Sequence, residues 1–168
     1  IFATTAMVVW IGALSGYWEI GGKAGPIDWH AHEMLFGYAS AALCGFVLTA
    51  VPNWTGRLPV SGLPLVGLVA LWLVGRAAMA APGLLGEGPS AVIDCLFLPA
   101  LGFVVAREVI VGRNWKNLRV AIGIAVLAAL NATFHIVGLE RWDEKWVHRL
   151  TVSLYVVLIS HIGGRIVR

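Results

Sequence analysis

Long apolar runs separated by short polar connections dominate the pattern of this sequence. Six runs, each close to the length that a helix needs to cross a bilayer, lie at about residues 1–20, 32–51, 63–81, 91–112, 118–139 and 147–167. Glycine and proline mark the ends of the first three runs. Because the runs are continuous rather than alternating in polarity, they predict an all-α, polytopic membrane helical bundle with about six transmembrane helices.

Composition supports this class and excludes others. The chain is 59% hydrophobic and only 12% charged, which is too little charge to cover the surface of a soluble domain of 168 residues. We therefore expect the protein to lie in a lipid bilayer, and we do not expect it to bind nucleic acid. We expect residues 1–168 to form a single transmembrane bundle. Since the chain begins with Ile1 and ends with Arg168, each in or directly after an apolar run, we expect it to be incomplete at one or both ends.

The basic residues predict an orientation. One set of alternate connections and ends is rich in basic residues and nearly free of acids, and it holds Arg57, Arg113, Lys116, Arg119, Arg165 and Arg168. The other set mixes Lys23, Arg141, Lys145 and Arg149 with most of the acidic residues. By the positive-inside rule the first set faces the cytoplasm. The segment from Trp29 to Met34 is then predicted on the outer side.

Ionisable residues inside the runs are the most informative feature, because such groups are costly in lipid and usually mark a functional site. At a rise of about 1.5 Å per residue, Arg76, Asp94 and His135 all lie within about 8 Å of the outer ends of their helices. His32 and His148 lie at the outer ends of two further helices, whereas His161 belongs to the inner half. Five helices thus bring polar side chains to one level of the membrane.

Imidazole is a common protein ligand for copper and haem iron, so these histidines are candidate ligands. His30 and His32 are two residues apart and would point about 200° apart on a continuous helix. Two alternatives follow. Either the helix starts after His30, with Asp28 as its cap, and both histidines bind one metal ion, or the helix is continuous and they serve two sites.

The same residues have structural roles as alternatives to ligand binding. Each histidine is alternatively a hydrogen-bonded residue of the bundle or interface, and Arg76 either pairs with Asp94 or clamps a haem propionate. Asn131 lies one turn from His135 and is placed to orient it. Near the inner end of the fourth run, Arg107 and Glu108 are predicted to form a local ion pair or to reach towards the interface.

Two stretches resemble the signature of the NnrS family, bacterial inner-membrane proteins that contain haem and copper and are linked to nitric oxide metabolism and nitrosative stress. The first stretch is Trp29-His30-Ala31-His32-Glu33-Met34-Leu35-Phe36-Gly37, which continues through Gly45-Phe46-Val47-Leu48-Thr49-Ala50-Val51-Pro52-Asn53-Trp54-Thr55-Gly56-Arg57. Leu158-Ile159-Ser160 and Ile162-Gly163-Gly164-Arg165 resemble a second family block. Since family members typically have more spans, the chain resembles an N-terminal half or a shortened relative.

The resemblance implies a haem- and copper-binding protein of the bacterial inner membrane. It implies that His30 and His32 match the paired histidines of the family, with His135 and His148 as further ligands, and it leaves open whether the protein catalyses a redox reaction. An alternative is an accessory subunit of a larger respiratory or photosynthetic complex, with histidines that ligate a haem or pigment. A homo-oligomer and a small-solute transporter with Arg76 and Asp94 in its pathway are further alternatives.

Overall fold

The computed structural model describes residues 1–22, 25–140 and 145–164, and within these ranges it contains helices and no β-strand. The α-helices are α1 (Phe2–Leu14), α2 (Gly25–His32), α3 (Ser40–Thr55), α4 (Leu63–Ala80), α5 (Pro82–Leu85), α6 (Glu87–Asp94), α7 (Phe97–Val111), α8 (Leu118–Glu140) and α9 (Lys145–Gly163). A π-helix, Glu33–Ala39, joins α2 to α3, and a 3₁₀ turn, Trp115–Asn117, precedes α8. The predicted all-α bundle is confirmed.

Four helical stretches are long and apolar enough to cross a membrane: Gly25–Thr55, Leu63–Ala80, Glu87–Val111 and Trp115–Gly138. They correspond to the second to fifth predicted spans. Of the described residues in the first predicted span, Phe2–Leu14 form a shorter apolar helix, and the sixth corresponds to α9. The count of six spans, and the assignment of residues 1–168 to a single transmembrane bundle, therefore stay predictions.

The helix that carries the paired histidines begins earlier than residue 30. Helix α2 starts at Gly25, so Asp28 lies in its first turn and His30 is already helical. The proposed late start after His30, with Asp28 as the cap, is wrong. Continuous helical geometry sends the two imidazoles in different directions, as the second alternative required.

A core of apolar side chains runs along the middle of the bundle. Helix α7 packs against α3 on one side and α8 on the other, and α8 packs in turn against α9. Leu101, Val105 and Val109 of α7 are fully buried, as are Val47 of α3 and Ile124 of α8. Many other large apolar side chains, such as Phe103 and Ile136, are exposed on the outside of the bundle, as expected where the solvent is lipid.

Polar contacts hold the end of the bundle at which α3 finishes and α4 begins. Arg57 donates through Nε to Glu108 Oε2 at 2.5 Å, and Arg107 Nη1 lies 3.5 Å from Glu108 Oε1. The predicted local ion pair between Arg107 and Glu108 is confirmed. Asn114 donates its amide N–H to the carbonyl oxygen of Trp54 and so ties the α7–α8 connection to the end of α3.

Candidate metal centre

Polar side chains from four helical stretches meet in the interior of the bundle. We call this group the buried polar cluster, and it consists of His32, Glu33, Arg76, Asp94, Asn131 and His135. His32, Glu33, Asp94 and Asn131 are each at most 2% exposed. Charged and polar groups buried to this extent require partners, and the cluster supplies them.

Asp94 is the centre of the cluster. Its Oδ2 accepts the amide N–H of Asn131 at 2.8 Å, and the Nε2 atoms of His135 and His32 lie 3.0 and 3.1 Å from the same oxygen. His32 Nε2 also lies 3.0 Å from Asn131 Oδ1. Three side chains from two other helices therefore converge on one carboxylate oxygen.

Arg76 joins the two carboxylates. One terminal nitrogen, Nη1, donates to Glu33 Oε1 at 2.6 Å, and the other, Nη2, donates to Asp94 Oδ1. The predicted pairing of Arg76 with Asp94 is thus present, and Glu33 is a second partner. The alternative role of Arg76 as a clamp for a haem propionate stays a prediction, and the guanidinium would have to leave at least one of these carboxylates to perform it.

The fixed charges of the cluster do not balance. Glu33 and Asp94 contribute two negative charges and Arg76 contributes one positive charge. His32 lies between the carboxylates, with Nδ1 3.4 Å from Glu33 Oε1 and Nε2 near Asp94. A proton on an imidazole or a bound cation would supply the missing positive charge, and in a low-dielectric interior such compensation matters strongly.

Two departures from regular α-helix place these side chains. The π-helix begins directly after His32, and π-helical turns inside α-helices occur frequently at functional sites. A second departure follows Asp94, where a turn at residues 95 and 96 separates α6 from α7. Each departure directly follows a residue of the buried polar cluster, His32 in the first case and Asp94 in the second.

Neighbouring helices satisfy the carbonyl groups of the π-helix. Tyr155 of α9 donates its hydroxyl to the carbonyl oxygen of Leu35 at 2.8 Å, and Trp72 of α4 donates its indole N–H to that of Gly37 at 2.9 Å. The Ser40 hydroxyl donates to the carbonyl of Phe36. Irregular backbone at membrane depth is tolerated where protein covers it and supplies hydrogen bonds, as happens here.

The donor set fits a metal ion. His32, Asp94 and His135 each offer one ligand atom, and these atoms all lie within 4.8 Å of one another. Two imidazole nitrogens and one carboxylate oxygen suit divalent transition metals, copper among them. Asn131 and Arg76 would remain as hydrogen-bonding groups around the ligands, and such partners orient and tune a metal site.

The NnrS family, described as NnrS protein, matches residues 1–168 of this chain. The chain belongs to the NnrS family. No curated protein and no solved structure matches it. The NnrS match spans both signature stretches, and the first of them supplies His32 and Glu33 to the buried polar cluster.

Two other histidines of this NnrS family member, His30 and His148, are not among the three possible ligands. His30 stacks on Trp10 with ring centroids 4.1 Å apart and planes at 15°. His148 packs against Phe134, at 5.4 Å between ring centroids, and Phe134 also contacts His32 at 5.0 Å. The structure therefore brings together His32 and His135 of the sequence-predicted ligands, and it places His30 and His148 elsewhere.

The fit of haem to this structure depends on histidines outside the buried polar cluster. In its favour, His30 Nδ1 and His148 Nε2 are buried nitrogens without a hydrogen-bond partner among the described residues. A cleft of about 1030 Å³ lies between the ends of α1 and α4 and the start of α2, but none of its described lining residues is a histidine. The roles of His30, His148 and Arg76 in cofactor binding stay predictions.

Glu33 is the member of the cluster that sequence reasoning missed as a site residue. Its position beside His32 was visible, but on a regular helix neighbouring residues point about 100° apart, so the pair does not predict a shared partner. The available signal was that Glu33 and Arg76 lie in different apolar runs, since each charged group would require a partner in lipid.

Proposed function

We propose that this NnrS family member binds a copper ion in the buried polar cluster through His32, Asp94 and His135, binds haem, and acts in nitric oxide metabolism or the response to nitrosative stress. The observation that carries the metal assignment is the set of three ligand atoms within 4.8 Å of one another. Membership of the NnrS family supports the link to nitric oxide. Bound copper would supply redox chemistry and a site for a small diatomic ligand.

The chain's own residues would hold and tune the ion. Arg76 keeps both carboxylates in place, and Asn131 donates to Asp94 from the helix that also carries His135. Phe36 and Phe134 pack against the ring of His32, at 5.3 and 5.0 Å between centroids, and give the site an apolar wall. An uncharged diatomic molecule such as nitric oxide would reach such a site through lipid more readily than an ion would.

For haem we propose His30 and His148 as ligand candidates. The support is the buried nitrogen on each ring that has no hydrogen-bond partner among the described residues, which coordination to iron would satisfy. Haem and copper would then occupy different places, in keeping with the separation of His30 from His32.

Elemental analysis and optical spectra of protein purified from metal-replete cells test this function. We expect copper in the wild type, its loss in His32→Ala and His135→Ala, and its retention in the control His161→Ala, which alters a histidine outside the cluster. Nitric oxide should change the optical spectrum of the loaded protein. Copper retention in both cluster variants would contradict the metal assignment, and the absence of a Soret band would contradict the haem assignment.

We further propose that the protein lies in the bacterial inner membrane, with the segment from Trp29 to Met34 on the periplasmic side. The distribution of basic residues supports this orientation. Alkaline phosphatase fused after Gly86 should be active, and the same enzyme fused after Ser61 should be inactive. The reverse result would overturn the orientation.

An accessory role in a larger membrane complex, or in a homo-oligomer, is the second candidate. A groove of about 550 Å³ between α3 and α9 favours it, because its lining is almost entirely apolar and includes Phe46, Val152 and Ile159. A helix of another subunit would fit such a groove. Co-purification of a stoichiometric membrane partner would support this role, and a cofactor-loaded protein that runs alone would contradict it.

A further inference from the structure

A second charged site lies at the opposite end of the bundle from the buried polar cluster. A cavity of about 580 Å³ opens between the α3–α4 connection and the last turns of α7, and the described residues that line it include Arg57, Ser61, Arg107 and Glu108. None of the proposed copper ligands lines this cavity, so an assignment of the cavity does not depend on the proposed copper site.

The charges in this cavity are unequal. The two arginines share one carboxylate, since Glu108 accepts from Arg57 at 2.5 Å and lies 3.5 Å from Arg107. The Glu108 side chain is only 7% exposed, whereas those of Arg57 and Arg107 are 37% and 59% exposed. The carboxylate is therefore hidden behind the guanidinium groups, and the accessible part of the site carries a positive charge.

The cavity lies at the ends of two helical stretches that are long and apolar enough to cross a membrane, which is where lipid headgroups would meet the protein. Helix α3 ends at Thr55 and α4 begins at Leu63, so the connection between them lies where two membrane-spanning helices reach the interface. Leu58 and Leu63, at 88% and 86% exposed, flank the site with apolar surface that acyl chains can cover. Basic pockets between transmembrane helices recognise anionic headgroups by this combination of features.

We propose that this cavity binds the phosphate group of an anionic phospholipid. The guanidinium groups of Arg57 and Arg107 would donate to the phosphate oxygens, in the geometry that arginine favours for such anions. Ser61, in the connection just before α4, offers a hydroxyl among the residues that line the same cavity. The lipid would fasten the α3–α4 connection to α7 at the membrane surface.

Thermal unfolding in detergent micelles tests this site, with phosphatidylglycerol or phosphatidylcholine added. Phosphatidylglycerol should raise the unfolding temperature by about 3–5 °C more than phosphatidylcholine does. Arg107→Gln should remove at least half of that difference. Arg107 is the residue to change because its side chain is the more exposed of the two, whereas loss of Arg57 would leave the buried Glu108 carboxylate without its nearest partner. Lys116→Gln, a loss of charge outside the cavity, should leave the difference intact.

Native mass spectrometry provides a second measurement, in which wild type should retain one more phosphatidylglycerol molecule than Arg107→Gln. An equal response to both lipids, or equal losses in the Arg107 and Lys116 variants, would overturn the proposal in favour of general surface charge. Inorganic phosphate, compared with chloride at equal ionic strength, should have no effect. Stabilisation by inorganic phosphate and not by phosphatidylglycerol would also overturn it, and would assign the cavity to a free anion.

Discussion

Gly37 shows how closely the buried polar cluster is packed. A Cβ atom at this position would lie 2.6 Å from Arg76 Nη1 and 3.0 Å from Glu33 Oε2. Both distances are far shorter than normal van der Waals contacts. Glycine is therefore required here by the approach of the guanidinium, and not by an unusual backbone conformation.

Gly37→Ala should displace Arg76 from Glu33. We expect a loss of about 1–3 kcal/mol in the free energy of unfolding, as for other cases of overpacking, together with weaker copper binding. Gly45→Ala, in the same helical stretch, is the matched control, because its Cβ would meet nothing within 4 Å. Thermal unfolding and copper titration of the two variants check this, and equal behaviour would show that the cluster tolerates the added methyl group.

Asp94 and His135 were the residues that the sequence placed best. A charged group in an apolar run needs a partner, and the rise per residue fixes its depth, so a shared level for both follows from simple geometry. Which atoms meet does not follow. The convergence of His32, Asn131 and His135 on one oxygen of Asp94 depends on helix rotation, which packing against neighbours decides.

The π-helix is the element that distinguishes this bundle from a set of regular spans. It widens the helix between His32 and Ser40 and leaves carbonyl groups that accept from α4 and α9. Sequence periodicity could not reveal it, because an apolar run that is hydrophobic on most faces has no clear stripe from which a change of helical period is visible. The early start of α2 was missed because Pro26 suggested a break, although proline is well tolerated in the first turn of a helix.

Tyr155→Phe tests the contribution of α9 to this element. It removes the hydroxyl that donates to Leu35, and hydrogen bonds between membrane helices contribute about 0.6 kcal/mol on average and up to about 1.7 kcal/mol. We expect a loss of stability in that range, measured by thermal or denaturant unfolding. Tyr17→Phe removes a hydroxyl from a residue that is 80% exposed and should cost nothing measurable. An equal effect in both variants would argue against a role for the Leu35 contact.

At the scale of the molecule, the two ends of the bundle differ in charge and in burial. One end encloses two carboxylates, one arginine and the imidazoles, whereas the other exposes two arginines over a hidden carboxylate. The sequence predicted the class of protein, most of the helices, and an end that is rich in basic residues and nearly free of acids. It left two alternatives for His30 and His32, a shared metal ion or two separate sites. Because the backbone is already helical at residue 30, the two side chains lie in separate environments.

Electron paramagnetic resonance of the copper(II)-loaded protein tests the central claim most directly, because coupled nitrogen nuclei report the imidazoles bound to the ion. The wild type should show two equivalent or nearly equivalent imidazole ligands, and His135→Ala should show one, while His161→Ala should match the wild type. A wild-type spectrum without imidazole coupling, or one that His32→Ala and His135→Ala leave unchanged, would contradict a metal centre at His32, Asp94 and His135.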